Sequence, residues 1–308
     1  MKRLLCLALL SAAALGGCQQ DPDLIDCNGE TATLRRFTEL YATAAQPLTL
    51  TNLTRAQTVS TPSGLTVSLP TNAFLTPAGA AATGTVELRI RELPKPGDRV
   101  LATVFSLAQD GRLLETGSAV QLTAWQGTTR LRPRPDSALT LQVPAATAAP
   151  VAGMSLWRLA PDSLTRWRAT STATGVPAQP RAMYRFSSGP DSLGWYHVAR
   201  PWPADTGTVR TTVRIGAGPQ TGPTRVYLVA HARNAVLPVL PPTPVSGALE
   251  WSQQNLPVGT ELTAVVLQVR DGQFYYGTQR ATIGPNHRFT VALEALPPTE
   301  IARRIKQL

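Results

Sequence analysis

Cysteine is scarce in this chain: Cys6, Cys18 and Cys27 are the three among 308 residues. The first two lie in the N-terminal segment described below, so Cys27 alone remains for the body of the protein. One cysteine cannot close a disulfide within the chain, which excludes a small fold stapled by disulfides. Packing of apolar side chains must therefore hold the domains together, and Cys27 is either free or paired between chains.

The motifs of common catalytic and metal sites are also missing. The histidines are His197, His231 and His287, and no HxH, HxxxH or CxxC spacing occurs, so we predict no zinc site and no cofactor. No Gly-x-Ser-x-Gly elbow occurs, and Gly216-Ala217-Gly218-Pro219 lacks the third glycine of a phosphate-binding loop. The sequence therefore favours a protein that is not an enzyme, with a hydrolase of unfamiliar type as a second alternative.

Positive charge comes almost entirely from arginine. The formal net charge is +10, yet lysine occurs only at positions 2, 95 and 306. One interpretation is affinity for anionic surfaces such as lipopolysaccharide, acidic glycans or nucleic acid. The other is a compositional bias, which we favour because the arginines are scattered and the densest group is Arg130, Arg132 and Arg134. We therefore predict no nucleic-acid partner.

Long apolar runs are absent except at the N-terminus. Lys2-Arg3 precede an apolar run from Leu4 to Leu15, which is too short to span a bilayer and is typical of a secretory signal. It closes with Leu15-Gly16-Gly17-Cys18, which resembles the lipobox of bacterial lipoproteins. That resemblance implies cleavage between Gly17 and Cys18 and acylation of Cys18. The alternatives are an ordinary secretory signal or a cytosolic start.

The lipobox predicts a location. Acyl chains on Cys18 would make the membrane a partner, because each buried CH₂ contributes about 0.8 kcal/mol and two or three chains hold a protein stably. Position 19 is Gln rather than Asp, which does not resemble an inner-membrane retention signal. The polar run from Gln19 to Asp23 is similar to the surface-export signal of Bacteroidota lipoproteins. We therefore expect a protein anchored in the cell envelope, at the outer membrane or the cell surface.

Beyond the N-terminus the dominant period is two. Apolar residues alternate with polar ones in Leu65–Leu69, Val86–Arg91 and Val120–Trp125, the pattern of half-buried strands. Asp-Gly pairs predict hairpin turns at 110–111 and 271–272. Short strands separated by turns predict an all-β fold built from antiparallel β-sandwiches.

The pattern also predicts the organisation of the chain. Residues 1–17 form the signal peptide and 18–47 a tether, with one possible short helix suggested by Leu34, Phe37, Leu40 and Tyr41. We expect a first sandwich module at 48–170, a linker and β-hairpin at 171–204, a second sandwich module at 205–298 and a C-terminal tail at 299–308.

Aromatic residues make up only 6% of the chain, but tryptophans concentrate in one region. Trp157, Trp167, Trp195 and Trp202 could stack on sugar rings or anchor a protein partner. The interpretation we favour is that they fill the contact between the two modules, which predicts low solvent access for Trp195 and Trp202.

Several segments together carry a family resemblance: Gly64–Phe74, Gly84–Leu88, Leu114–Gly117, Ser192–Trp195 and Asp271–Tyr276. The first two resemble the opening of a β-domain common in Bacteroidota lipoproteins and, distantly, the ZU-type domain of ankyrins and netrin receptors. The resemblance implies a β architecture and an envelope location, and no particular activity. The leading expectation is thus a lipid-anchored envelope protein that binds or assembles with an envelope protein or a glycan. A surface glycan-binding protein using the Trp157–Trp202 aromatics is the runner-up.

Overall fold

The computed structural model describes residues 29–135, 138–145, 150–159, 166–172, 174–176, 182–187, 193–203, 207–216, 222–245 and 248–308. The predicted signal peptide, its cleavage site at Gly17 and Cys18, and Cys27 lie outside these residues.

Strands dominate the chain, as predicted. From the N-terminus to the end of the first sandwich, the elements are α1 (Gly29–Tyr41), β1 (Gln46–Leu50), β2 (Gln57–Ser60), β3 (Thr66–Leu69), β4 (Phe74–Leu75), β5 (Val86–Leu93), α2 (Pro96–Ala102), β6 (Leu114–Gln126), β7 (Thr129–Arg130), β8 (Arg132–Pro133), β9 (Thr140–Pro144), β10 (Ser155–Leu159), β11 (Trp167–Thr172), β12 (Thr174–Val176), β13 (Met183–Ser187) and β14 (Gly194–Pro201).

The second sandwich and the C-terminus contain β15 (Thr208–Ile215), β16 (Thr224–Ala230), β17 (Ala235–Pro238), β18 (Leu240–Val245), β19 (Ala248–Pro257), β20 (Glu261–Arg270), β21 (Gln273–Thr282), β22 (Arg288–Val291), β23 (Glu294–Ala295) and α3 (Pro298–Lys306). A 3-10 turn at His231–Arg233 links β16 and β17.

Two packed sheets form the first sandwich. Sheet 1 has the strand order β1-β5-β6-β14-β10-β11, with β7 paired to β6, and sheet 2 has the order β12-β13-β9-β3-β2. Alternate residues of each sheet meet in one core, for example Leu88 and Leu122 from sheet 1 with Leu141 and Phe186 from sheet 2. The alternation seen in the sequence at Val86–Arg91 and Val120–Trp125 thus corresponds to one buried and one polar face.

Sheets 3 and 4 form the second sandwich. Sheet 3 has the order β18-β19-β15-β22 and sheet 4 the order β17-β16-β20-β21-β23. The pairs are antiparallel except that β15 and β22 run parallel. The predicted Asp271-Gly272 turn is present: both residues have positive φ, 48° and 73°, and Arg270 pairs with Gln273 across a two-residue loop.

The segment at 171–204 does not form the expected linker and hairpin. β13 pairs with β9 in sheet 2, whereas β14 pairs with β6 and β10 in sheet 1. The reason is that Tyr184 of β13 and Tyr196 of β14 enter the core from opposite sheets, which a hairpin within one sheet would not allow. The first sandwich therefore extends to Pro201.

The two terminal segments are packed rather than loose. The predicted short helix is present as α1, and its Leu34 and Phe37 are buried against Val265 and Leu267 of β20. The tail at 299–308 belongs mainly to α3, whose Ile301 and Ile305 are buried in the same cluster. Residues 29–41 therefore belong to the folded body and not to the tether expected at 18–47.

Helices α1, α2 and α3 cover the outer face of sheet 4. This explains why β20 is apolar at nearly every position: its two faces enter different cores, with Ala264 and Val266 on one side and Val265 and Leu267 on the other. Helix α2 also adjoins sheet 1, so it lies between the two sandwiches.

Gly97 sets the distance between α2 and α3. A Cβ atom at this position would lie 2.0 Å from the backbone oxygen of Ile305, closer than any packing allows. We expect Gly97→Ala to lower the free energy of unfolding by about 1–3 kcal/mol or more, because the helices must separate. Denaturant unfolding measures this. Gly284→Ala is the matched control, since a Cβ there meets no atom within 4 Å, and its effect should stay within about 1 kcal/mol. Equal losses in both variants would contradict the close-packing argument.

Candidate functional site

The outer face of sheet 1 carries an organised polar surface. On β5 and β6 every second residue points away from the core, namely Glu87, Arg89, Arg91, Gln121, Thr123 and Trp125. Cross-strand register places Arg91 opposite Gln121, and Gln121 opposite Trp195 of β14. These side chains therefore form short rows across three neighbouring strands.

Only half of this outer face is open. The other half is buried under α2 and the chain that follows it, in a cluster of Leu93, Val104, Ala108, Leu114, Ala119, Trp157, Trp167 and Ala199. We call the remaining part, made of Glu87, Arg89, Arg91, Gln121, Thr123, Trp125, Trp195 and the adjacent Arg130, the open face.

The structure divides the predicted tryptophan group. Trp157 is 4% exposed and its Nε1 donates to the Ala199 carbonyl at 2.9 Å. Trp167 is 1% exposed, donates to the Phe105 carbonyl at 2.6 Å and packs against the His197 ring at 4.7 Å between centroids. Both indoles are therefore almost entirely covered by protein. Both fill the contact between sheet 1 and the segment that follows α2.

Trp195 and Trp202 are both half-buried, in different places. Trp195 packs on the edge of the cluster that holds Trp157, at the border of the open face. Trp202 packs against the core of the second sandwich, and its backbone nitrogen donates to the Leu113 carbonyl at 2.9 Å. The four tryptophans therefore do not form one binding surface.

Trp125 is the aromatic residue that the sequence interpretation missed. Its indole Nε1 donates to Thr123 Oγ1 at 3.1 Å, and the Arg89 guanidinium carbon lies 5.0 Å from the ring centroid. Arg130 of β7 pairs directly opposite Trp125 and is exposed. The signal was present in the sequence, because Trp125 shares the polar phase of β6 with Gln121 and Thr123.

A second polar cluster joins the two sandwiches. Arg99 of α2 is fully buried and donates to the Leu93 carbonyl at 2.9 Å and to Asn234 Oδ1 at 2.6 Å. Asn234, in the left-handed conformation at φ 45°, donates in turn to Pro94 and Thr116 carbonyls, each at 3.0 Å. Burial lowers the pKa of Arg99 to about 9, with nearby Asp98 acting in the opposite direction. The guanidinium therefore stays charged at neutral pH.

Glu115 adds an ionic link across the same junction. Its carboxylate accepts from Arg200 of the first sandwich at 3.0 Å and from Arg233, beside β17 of the second, at 2.7 Å. The Glu115 side chain is only 12% exposed, so solvent screens this pair of contacts less than a surface ion pair.

A buried chain of hydroxyls and an imidazole lies beside this junction. Val236 N donates to Ser106 Oγ at 3.1 Å, Ser106 Oγ lies 2.8 Å from Thr116 Oγ1, and Thr116 Oγ1 lies 2.9 Å from His197 Nε2. A hydroxyl next to an imidazole is the geometry of an activated nucleophile. Here Ser106 and His197 have no exposed surface and Thr116 is 3% exposed, so a substrate has no access.

The other predicted chemical features can be placed as well. His231 Nε2 lies 3.1 Å from Thr263 Oγ1, and burial lowers its pKa, helped by the charge of Arg280. His287 packs edge-on against Phe289 at 4.6 Å. Within the described ranges, no three His, Cys, Asp or Glu side chains are placed to hold a metal ion.

Comparison of the sequence with protein-family models gave no match, and comparison with curated proteins gave none. No helix in the described part of the chain is long and apolar enough to span a membrane.

Removing the Glu115 charge should loosen the junction. We expect Glu115→Gln to lower the free energy of unfolding by about 1–3 kcal/mol, because two arginines lose their common anion in a half-buried setting. The control is Glu39→Gln, which removes a carboxylate from an exposed pair with Arg35 and should cost no more than about 0.5 kcal/mol. Equal costs would show that Glu115 behaves as an ordinary surface residue.

His197 should make stability depend on pH. Burial, with a contribution from the Arg99 charge, holds the pKa of His197 well below 6.5. Below about pH 6.5 the unfolded chain therefore takes up a proton that the folded protein does not. The free energy of unfolding consequently decreases as the pH is lowered. Between about pH 7.5 and 5 we expect this group to contribute a loss of about 2 kcal/mol. Urea unfolding of wild type and His197→Asn tests this: the variant should lose less stability over that interval, and parallel losses would refute the assignment.

Proposed function

We propose that the protein is a lipid-anchored envelope protein with a non-enzymatic binding role, carried by the open face of the first sandwich. The observation that carries the proposal is a contrast between two polar sites. The hydroxyl–imidazole chain at Ser106, Thr116 and His197 is enclosed, whereas the rows of arginine, amide, hydroxyl and indole groups on sheet 1 are partly exposed to solvent.

The proposed anchor rests on the sequence from Met1 to Cys18 and on the resemblance to Bacteroidota lipoproteins. The structure adds a constraint to it. The described part of the chain begins at Gly29, eleven residues after Cys18, and a chain of that length reaches at most about 40 Å when fully extended. An acylated Cys18 would therefore keep both sandwiches close to the membrane surface.

The runner-up, a glycan-binding protein that uses the Trp157–Trp202 aromatics, has less support in that form. Two of the four tryptophans that it needs, Trp157 and Trp167, are buried. The unfamiliar hydrolase also has less support, since the imidazole best placed beside a hydroxyl is buried.

The anchor is tested by metabolic palmitate labelling of wild type and Cys18→Ser, combined with protease treatment of intact cells. We expect label in wild type only, and proteolysis of the body in intact cells if it faces outward. Cys27→Ser is the matched control and should keep the label. A wild-type protein without label would remove the anchor from the proposal, and label that persists in Cys18→Ser would place it elsewhere.

A further inference from the structure

The open face is rich in cationic groups. Arg89, Arg91 and Arg130 lie on it, against a single carboxylate, Glu87, which pairs with Arg89. The Nε atom of Arg91 is enclosed and has no hydrogen-bond partner among the described residues. The face therefore offers more positive charge than its own carboxylate neutralises, which favours an anionic partner.

The same face carries two indoles at its ends. Trp195 lies opposite Gln121, and Trp125 follows Gln121 by four residues on β6. At about 3.3 Å per strand residue, the two tryptophan positions are about 13 Å apart along the strand. Thr123 lies between them and presents a hydroxyl group, and Gln121 presents an amide group beside Trp195.

These features suit a chain of acidic sugars. The apolar face of a sugar ring can pack on an indole, its hydroxyls can bond to Gln121 and Thr123, and its carboxylate or sulfate can pair with an arginine. The separation of the indoles along an open sheet favours a partner that extends over several units. It does not favour a small ligand, which binds best where it is enclosed.

We propose that the open face of sheet 1 binds an acidic polysaccharide, with Trp125 and Trp195 contacting sugar rings and Arg89, Arg91 and Arg130 contacting its anionic groups. This inference rests on the proposed envelope location, which decides between polysaccharide and nucleic acid, since both are polyanions that aromatic and arginine side chains can hold.

The test measures binding of the full chain in detergent to immobilised polygalacturonate, dextran sulfate and neutral dextran. We expect binding to one or both acidic polymers, weaker binding at about 300 mM than at about 50 mM salt, and little binding to neutral dextran. The two acidic polymers separate carboxylate from sulfate recognition. Equal binding to neutral dextran, or no binding to either acidic polymer, would overturn the inference.

Two variants locate the site. Trp125→Ala and the double variant Arg91→Gln/Arg130→Gln should each weaken binding at least about tenfold, as expected for removal of central contacts. Trp125→Phe should restore part of it, and thermal unfolding checks that each variant is folded. If binding is unchanged in both variants, the open face is not the site.

Matched controls come from other surfaces. Tyr275→Ala removes an aromatic ring that lies 3.9 Å from the Arg270 guanidinium carbon in the second sandwich, and Arg185→Gln/Arg210→Gln removes two exposed charges elsewhere. Both should bind within about twofold of wild type. Losses as large as those of the open-face variants would show unspecific attraction to net charge and overturn the inference.

Two further measurements separate this inference from the proposed anchor. Single-stranded DNA that binds as tightly as the polysaccharides, through the same residues, would assign the face to nucleic acid and overturn the inference. The Cys18→Ser chain should bind the acidic polymers as well as wild type does. Binding without palmitate label would reject the anchor alone, whereas label without binding would reject the polysaccharide site alone.

Discussion

The buried guanidinium of Arg99 is the interaction on which the arrangement of the two sandwiches depends. A charge without solvent is costly unless hydrogen bonds satisfy it, and the groups that do so here come from both sides. Leu93 belongs to the first sandwich and Asn234 to the second. If the sandwiches separated, the Arg99 guanidinium would lose its acceptor on Asn234. The ionic contacts of Glu115 with Arg200 and Arg233 act across the same junction.

The helices explain why one polar face is left open. Sheet 4 is covered on its outer face by α1, α2 and α3, and it needs this cover because Val265, Leu267 and Tyr276 would otherwise be exposed. The segment from α2 to Leu114 covers sheet 1 only where that sheet presents Leu93, Ala119 and Trp157. Beyond these apolar positions the outer residues of β5 and β6 become polar. The change from apolar to polar outer residues along β5 and β6 thus determines where the covering segment ends and the solvent-facing surface begins.

Much of the fold could be predicted from local patterns. Alternation located β3, β5 and β6, and the Asp271-Gly272 pair located a two-residue hairpin, because both signals depend on residues close in sequence. Pairing between distant strands could not be predicted in the same way. Tyr184 and Tyr196 show the same alternation whether their strands form one hairpin or face each other across a core. The burial of Arg99 could not be predicted either. The seven-residue helix α2 is too short to show a periodic pattern, and Asn234, which accepts from Arg99, is remote in sequence.

The candidate site shows the same division. The concentration of tryptophans between 157 and 202 suggested a binding surface as one interpretation, yet the fold buries Trp157 and Trp167 and leaves Trp195 and Trp202 half-buried. Density along the chain says little about which face a strand presents. Phase along a strand was the better guide: Trp125 falls on the polar phase of β6, and Trp157 falls on the outer phase where α2 and its following segment lie. An aromatic side chain among the outward-facing polar positions of a strand is either covered by another segment of the protein or exposed to solvent. For Trp125 the arginine side chain of Arg89 supplies part of that cover, and an arginine can be displaced by a ligand at lower cost than a packed helix.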